Sequence, residues 1–255
     1  MAVHQDQGCS SAPKSKVSGD SSHRTTYMAS KVQERIYAEK AIELLGKNWQ
    51  LTDIPEPPDF EVSNRVSVWG LEIRCIYKSE DVRKGSPIKE KESLDSRLLV
   101  KLAEQYYEAG GSPIQLKVLG ASLLHENYAL ILSTLISRTP GKLWSHQRLT
   151  ASDNVILYIS ELPPELPQYS RWQLVDHRVG FARKITGTEI QNAIDAKVKK
   201  LATYANKYQR TDLLLVADRT FNSGRLLPSE PIHFFNSGFS NIFLLSYPES
   251  IQKIG

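Results

Sequence analysis

The sequence predicts an α/β fold in which a mixed β-sheet is flanked by helices. Strand-like segments come early in the chain, and helices and strands then alternate toward its end. Two late segments, Asp212–Val216 and Ile242–Ser246, are continuous apolar runs, which are typical of strands covered on both faces. Hydrophobic residues make up 40% of the 255 residues, which is enough to build a core around such a sheet.

The N-terminal segment differs from the rest of the chain. Residues 1–27 are rich in Ser, Gln, Gly and Lys and contain almost no apolar side chains, so we expect a disordered tail there. Residues 28–255 are expected to form a single α/β domain. This domain begins with a helix over about residues 29–45, with Val32 and Ile36 on its apolar stripe.

A β-hairpin is predicted after this helix. Two prolines directly before Asp59 exclude a helix and favour an extended entry into a strand. A tight turn at Ser63-Asn64 leads into a return strand, and the segment Gly70–Lys78 is rich in residues of high β-propensity. Because side chains alternate along a strand, Glu72 and Arg74 share one face, and the opposite face is expected to be the core side.

The remaining elements follow from the same patterns. A helix capped by Ser93 or Asp95 is predicted to run to Glu108. Further helices are predicted at about residues 123–137 and 188–208, and strands at 113–119, 154–159 and 172–175. Residues around 138–170 are rich in proline and are predicted to be an irregular insertion.

Composition narrows the class of protein. The net charge of +4 is mildly basic and permits a polyanionic partner without requiring one. With only Cys9 and Cys75 and no apolar run near the roughly 20 residues that a bilayer span needs, we expect a cytoplasmic protein without a membrane partner. The sequence has no dinucleotide-binding glycine motif, no P-loop, no nucleophile elbow and no zinc-ligand spacing.

One acidic pair stands out as a candidate site. Asp59 opens the first strand of the hairpin and Glu72 lies on the second, so their side chains can converge at one end of the sheet. Carboxylate oxygens are hard ligands that suit Mg²⁺ or Mn²⁺ better than zinc. Such a metal can polarise a phosphodiester and supply a bound hydroxide, and Arg74 on the same face can hold a phosphate.

These residues resemble the PD-(D/E)XK nuclease superfamily. Its members carry an acidic residue on a helix, then Pro-Asp at the start of one strand, then Glu/Asp-x-Lys on the next. Here Pro58-Asp59 matches the second element, Glu72-Ile73-Arg74 matches the third, and Glu39 is the best match for the helix acid. The resemblance implies a restriction-endonuclease-like fold and Mg²⁺-dependent hydrolysis of DNA. It also implies metal ligation by Asp59 and Glu72 and catalytic roles for Glu39, Asp59, Glu72 and Arg74.

The chain departs from this pattern at one position. Arg74 stands where the superfamily has a catalytic lysine, and a guanidinium does not release a proton near neutral pH. Lys78 shares the strand face but lies two side-chain repeats further along, and Lys101 on the following helix is a candidate substitute for that lysine. The resemblance implies DNA as the partner and leaves a homodimer open. Four lysines are candidates for contacts with the DNA backbone: Lys78, Lys101, Lys197 and Lys200. For the lysines of the late helix, a solvated helix face is the favoured explanation.

Two alternatives remain open at this level. In the first, the chain keeps the nuclease fold without catalysis and serves as a binding or assembly module, and the arginine at position 74 favours this interpretation. In the second, the chain is an unrelated α/β protein. Asp59 is then a turn residue and Glu72 pairs with Arg74 on the surface.

Overall fold

The computed structural model describes residues 21–55, 57–80, 85–120, 124–175, 182–204, 207–228, 233–235 and 238–255. The helices in these ranges are α1 (Ser21–Leu44), α2 (Pro87–Glu108), α3 (Leu124–Ser137), α4 (Gly187–Val198) and α5 (Leu201–Tyr204). The strands are β1 (Gln50–Asp53), β2 (Phe60–Ser63), β3 (Val68–Cys75), β4 (Ile114–Leu119), β5 (His146–Ser152), β6 (Val155–Glu161), β7 (Gln173–Val175), β8 (Arg183–Lys184), β9 (Thr211–Asp218), β10 (Leu226–Leu227), β11 (Asn241–Tyr247) and β12 (Ser250–Lys253).

The larger sheet has six strands in the order β1-β2-β3-β9-β11-β12. Strands β3, β9 and β11 run parallel to one another, whereas the β1-β2, β2-β3 and β11-β12 pairs are antiparallel. The prediction of a mixed sheet flanked by helices is therefore confirmed. All residues of β9 are buried, as its continuous apolar run predicted.

Helices cover both faces of this sheet. On one face, Tyr37, Ala38 and Ala41 of α1 pack in a core with β2, β3, β9 and β11. On the other face, α4 packs against alternate residues of β9 and β11. Two predictions are corrected here. The buried stripe of α1 is not the Val32–Ile36 side, since both of those residues are exposed, and the Glu72 face of β3 is covered as well as the opposite one.

A second, four-stranded sheet has the order β5-β6-β4-β7 and forms its own core with α2 and α3. Strands β5 and β6 form an antiparallel hairpin within residues 138–170, and of the two only β6 was predicted. The two parts of the chain meet where Glu92 of α2 accepts hydrogen bonds from the backbone N–H (2.9 Å) and Oγ (2.6 Å) of Ser223.

Several element boundaries differ from the predictions. Helix α1 already begins at Ser21, and residues 1–20 of the predicted tail lie outside the described residues. Helix α2 starts at Pro87 and is capped by Ser86, whose Oγ accepts from the backbone N–H of Lys89 (3.3 Å). The helix predicted over residues 188–208 is instead divided into α4 and α5. Within the described ranges, none of the helices combines the length and hydropathy that crossing a bilayer requires.

Candidate functional site

Asp59 and Glu72 lie opposite each other at the entry to the β2-β3 hairpin. Phe60 pairs with Leu71, so the antiparallel register brings the preceding Asp59 across from Glu72. Both side chains are buried, with Asp59 5% and Glu72 1% exposed. The Oδ2 atom of Asp59 accepts a hydrogen bond from the backbone N–H of Ile73 (2.6 Å). This bond holds the Asp59 carboxylate against β3.

The cation at this pair is Lys197 of α4. Its ammonium donates to Oε1 of Glu72 and lies 3.7 Å from Oδ2 of Asp59. The Lys197 side chain is 14% exposed, so the ion pair is largely removed from water. The sequence suggested Lys197 as a contact for DNA phosphates, and the structure brings it instead to the two carboxylates. We call Asp59, Glu72 and Lys197 the acid–lysine cluster.

Local sequence explains why Lys197 points at the sheet. Helix α4 starts with a capping box, in which Thr186 and Glu189 bond reciprocally to each other's backbone N–H. Ile190, Ala193 and Ile194 form its buried stripe. Lys197 follows at the next position of the same i, i+3, i+4, i+7 series, so the stripe that carries apolar side chains ends in an ammonium.

Burial sets the acidity of this site. It raises the pKa of Asp59 above its usual value, and the negative charge of Glu72 acts in the same direction. Lys197, the N–H of Ile73 and Lys31 oppose this rise without cancelling it. Carboxyl groups with raised pKa values beside a like charge are frequent at functional sites, and structural ion-pair networks shift pKa values too.

Arg74 shares the sheet face of Glu72 but has a different partner. Its guanidinium forms an ion pair with Glu80, and its Nε atom is buried without a hydrogen-bond partner among the described residues. Arg74 also lines a cleft of about 50 Å³ together with Glu80, Asn192 and Ala196. Ala196 directly precedes Lys197 in α4, and Arg74 lies two positions beyond Glu72 in β3, while Asp59, Glu72 and Lys197 themselves do not line the cleft.

The structure does not bring Glu39 to the cluster. The Glu39 side chain is 56% exposed and accepts from Arg35 (3.1 Å), which also donates to Asp53 (2.7 Å). Another acid of α1 is connected to Asp59 through Lys31. Glu34 continues the buried stripe of Tyr37 and Ala38, and it lies 4.0 Å from Lys31, whose ammonium donates to the backbone carbonyl of Asp59.

The structure places the other three predicted lysines apart from the acidic pair, each in a different part of the chain. Lys78 donates to Oδ1 of Asn222 (3.3 Å), at the start of a short 3-10 turn that follows β9. Lys101 is exposed on α2, which belongs to the second sheet. Lys200 is exposed beyond the end of α4, only three residues from Lys197.

A second polar group lies under α1, on the opposite face of the sheet. Tyr37 donates from its hydroxyl to Oδ2 of Asp218 (2.6 Å), and both residues are buried. Burial raises the pKa of Cys75 to about 11, so the thiol is protonated at neutral pH and is a poor nucleophile. The Tyr37–Asp218 hydrogen bond therefore pairs two buried polar groups of the core, which is a structural role.

The acid–lysine cluster is therefore the strongest candidate site in the described part of the chain. Within those residues no group of three or more His, Cys, Asp and Glu side chains is arranged to hold a metal ion. Comparison of this chain with protein-family models, with curated proteins and with solved structures found no match.

Proposed function

We propose that this chain is a metal-dependent nuclease that hydrolyses DNA phosphodiester bonds at the acid–lysine cluster. The observation that carries the proposal is the contact of the Lys197 ammonium with the buried carboxylates of Glu72 and Asp59. A lysine beside two acids is the set of side chains that the resemblance to the PD-(D/E)XK superfamily requires. The sequence motif supplied the two acids and lacked the lysine.

The two acids suit Mg²⁺ or Mn²⁺. Mg²⁺ commonly binds proteins through only one or two carboxylates and takes its other ligands from water and substrate phosphates, so Asp59 and Glu72 are a sufficient protein contribution. Both carboxylates are buried on one sheet face, and a cationic group already lies between them. When bound, such a metal polarises the scissile phosphate and lowers the pKa of a bound water.

The residues of the chain have separate roles in this proposal. The hydrogen bond from Ile73 fixes the Asp59 carboxylate, and the register of β2 and β3 fixes Glu72 across from it. Lys197 reaches the same point from α4 and supplies a positive charge for the phosphate oxygens, which become more negative during hydrolysis. Glu34 acts as a positioning residue, because it lies against Lys31, which in turn binds the Asp59 carbonyl.

The order of elements supports the proposal. Five elements occur in the order that the resemblance implies. They are a helix (α1), a strand entered through Pro-Asp (β2), a strand with Glu-x-Arg (β3), a Lys-rich helix (α4) and an apolar strand (β9). In the sheet β2, β3 and β9 are neighbours, and α1 and α4 cover opposite faces. Elements far apart in sequence thus surround β3.

One observation also favours a second candidate, a nuclease-fold binding module without catalysis. Lys197 already pairs with Glu72, and Glu80 pairs with Arg74, so the charges of Glu72 and Arg74 are compensated without a metal. In that case Lys197 is a permanent structural cation.

Cleavage of supercoiled plasmid and of labelled single-stranded DNA separates the two candidates. We expect the wild-type chain to cut DNA in Mg²⁺ or Mn²⁺ and to lose this activity in EDTA. Glu72→Gln and Lys197→Gln should each reduce the rate by at least about 100-fold, the scale typical of removing one preorganised charged group. Glu43→Gln, on the exposed end of α1, is the matched control and should cut normally. Metal-dependent cutting by Glu72→Gln at the wild-type rate would contradict the proposal.

A further inference from the structure

Within the described ranges, one face of the four-stranded sheet carries exposed side chains and no helix packed on it. Its inward residues, such as Leu116, Val118 and Leu157, pack against α2 and α3 and are fully buried. The alternate residues point the other way, and Lys117, Arg148 and Tyr158 among them are exposed, with Tyr158 at 41%. These exposed residues form a surface of the second sheet, separate from the acid–lysine cluster in the larger sheet.

Three of these exposed residues form a continuous row across adjacent strands. Arg148 of β5 pairs with Tyr158 of β6, and Tyr158 pairs with Lys117 of β4. Neighbouring strands lie about 4.8 Å apart, so the aromatic ring has a positive side chain on each side. Gln173 of β7 continues the row beyond Lys117. We call these four residues the basic–aromatic row.

The charge on this face has one sign. In the four described strands the single acidic residue is Glu161, and it is buried in an ion pair with Arg138. Within the described part of the chain, the side chains of Arg148, Tyr158 and Lys117 have no hydrogen-bond or ion-pair partner. Two uncompensated cations flanking an exposed ring are therefore available for an external anionic ligand.

We propose that the basic–aromatic row binds single-stranded nucleic acid, with a base stacked on Tyr158 and backbone phosphates held by Arg148 and Lys117. A duplex keeps its bases stacked on one another, whereas a single strand can turn a base onto an aromatic ring. Base–aromatic stacking combined with a positively charged track is the usual way in which proteins hold single strands without sequence preference. An acidic peptide would use the two cations but has no need of the ring.

A second exposed aromatic residue lies at the end of the β5-β6 hairpin. Trp144, two residues before β5, is 61% exposed, and its backbone has φ 64, a conformation that is strained for a bulky side chain. Its backbone N–H donates to the carbonyl of Glu161 at the end of β6 (3.1 Å), which fixes Trp144 to this hairpin. The hairpin that supplies Arg148 and Tyr158 thus carries another ring on which a base can stack.

Fluorescence anisotropy tests this surface with the full chain and labelled oligonucleotides of about 16 nucleotides, the upper end of single-strand site sizes. Single-stranded DNA, single-stranded RNA and duplex DNA are measured in EDTA, so that the result does not depend on cleavage or on the acid–lysine cluster. Tyr158→Ala should raise the Kd for a single strand at least about fivefold, and Tyr158→Phe should restore binding because it keeps the ring. Phe235→Ala, which removes an 83% exposed ring outside this sheet, should leave the Kd unchanged.

Salt dependence tests the two cations. Arg148→Gln and Lys117→Gln should each reduce the slope of log K against log salt by about 0.7, the value for one single-strand phosphate contact, and Lys47→Gln at an exposed site after α1 should not. Circular dichroism and thermal unfolding verify that the variants fold. The proposal is overturned by unchanged single-strand binding in Tyr158→Ala and in the Arg148→Gln/Lys117→Gln double variant, or by equal affinity for duplex and single strand.

Discussion

The ammonium of Lys197 contacts the carboxylate of Glu72 although the two residues are 125 positions apart in the sequence. Glu72 is 1% exposed and lies in the middle of β3, where an unpaired negative charge would be costly. Asp59 adds a second carboxylate at the same point. The positive charge of α4 therefore stabilises an acidic pair that apolar packing alone would exclude.

Removal of the Lys197 charge should destabilise the protein when no metal is present. Lys197→Gln leaves two buried carboxylates without their cation. We therefore expect the free energy of unfolding to fall by about 1–3 kcal/mol. Urea unfolding in EDTA measures this change. Lys200→Gln, three residues further along the chain and exposed, is the control and should stay within about 0.5 kcal/mol of wild type. Equal midpoints for both variants would show that the Lys197 contact contributes nothing.

Asp59 should make stability depend on pH in a specific direction. Because burial raises its pKa, the folded protein binds the Asp59 proton more tightly than the unfolded chain does. The contribution of Asp59 to stability therefore falls as pH rises from the unfolded pKa of about 3.9 through the higher folded value.

Asp59→Asn removes this loss of stability, because an asparagine side chain does not ionise in this pH range. The difference in Tm between the variant and the wild type, measured in EDTA, should grow across that pH interval in favour of the variant and become constant above it. A difference that does not vary with pH, or that shrinks as pH rises, would show that the pKa of Asp59 is not raised.

The two acids of α1 should differ in their effect on cleavage. Glu34 lies against Lys31, which binds the Asp59 carbonyl, whereas Glu39 is exposed and bound to Arg35. We expect Glu34→Gln to lower the cleavage rate about tenfold, since a displaced Lys31 loosens Asp59, and Glu39→Gln to have no effect. Lys31→Ala should then reproduce the Glu34→Gln defect. A normal rate in Glu34→Gln with a defect in Glu39→Gln would restore the assignment made from sequence.

The buried Arg138–Glu161 pair should make the second sheet sensitive to acid. Burial opposes ionisation of Glu161, but hydrogen bonds from Arg138 and from the backbone N–H of Gly141 hold its pKa below the usual value. Stability from this pair is present above the unfolded pKa of about 4.3 and is lost as pH falls through the lower folded pKa.

Glu161→Gln should lower the free energy of unfolding by about 3–5 kcal/mol at neutral pH, because it leaves Arg138 buried and unpaired. This deficit should narrow as pH falls below the folded pKa. Glu43→Gln removes one partner of an exposed pair with Lys40 and should change little at any pH. A deficit for Glu161→Gln that is the same at acid and neutral pH would contradict the assigned pKa shift.

Local sequence was sufficient for much of the fold. The two prolines before Asp59 and the alternation from Gly70 onward predicted the hairpin, and the apolar run of β9 predicted a strand buried on both faces. The pattern failed for β5, whose exposed positions His146, Arg148 and Thr150 give it the composition of a polar loop. It also failed to separate the two sheets, because strand pairing depends on contacts between distant segments.

The candidate site was predicted only in part, because it also depends on contacts between segments that are distant in the sequence. Asp59 and Glu72 are neighbours through a short hairpin, so their order in the sequence was informative. Lys197 reaches them from another element, and its one local signal is that a lysine continues the stripe of Ile190, Ala193 and Ile194. Glu34 gives an equivalent signal on α1, since it continues the stripe of Tyr37 and Ala38. A charged residue at the end of a buried stripe was therefore a signal for Lys197 and for Glu34, which the spacing of the motif did not identify.

Calorimetric titration with Mg²⁺ and Mn²⁺ tests the central claim, that Asp59 and Glu72 form a metal site whose carboxylates are paired with Lys197 when no metal is bound. We expect saturable binding to the wild-type chain and none to Glu72→Gln. Lys197→Gln should bind the metal more tightly than wild type, because the competing ammonium is absent, and Lys200→Gln should behave as wild type. Identical heats for wild type and Glu72→Gln, or no gain in affinity for Lys197→Gln, would contradict the account.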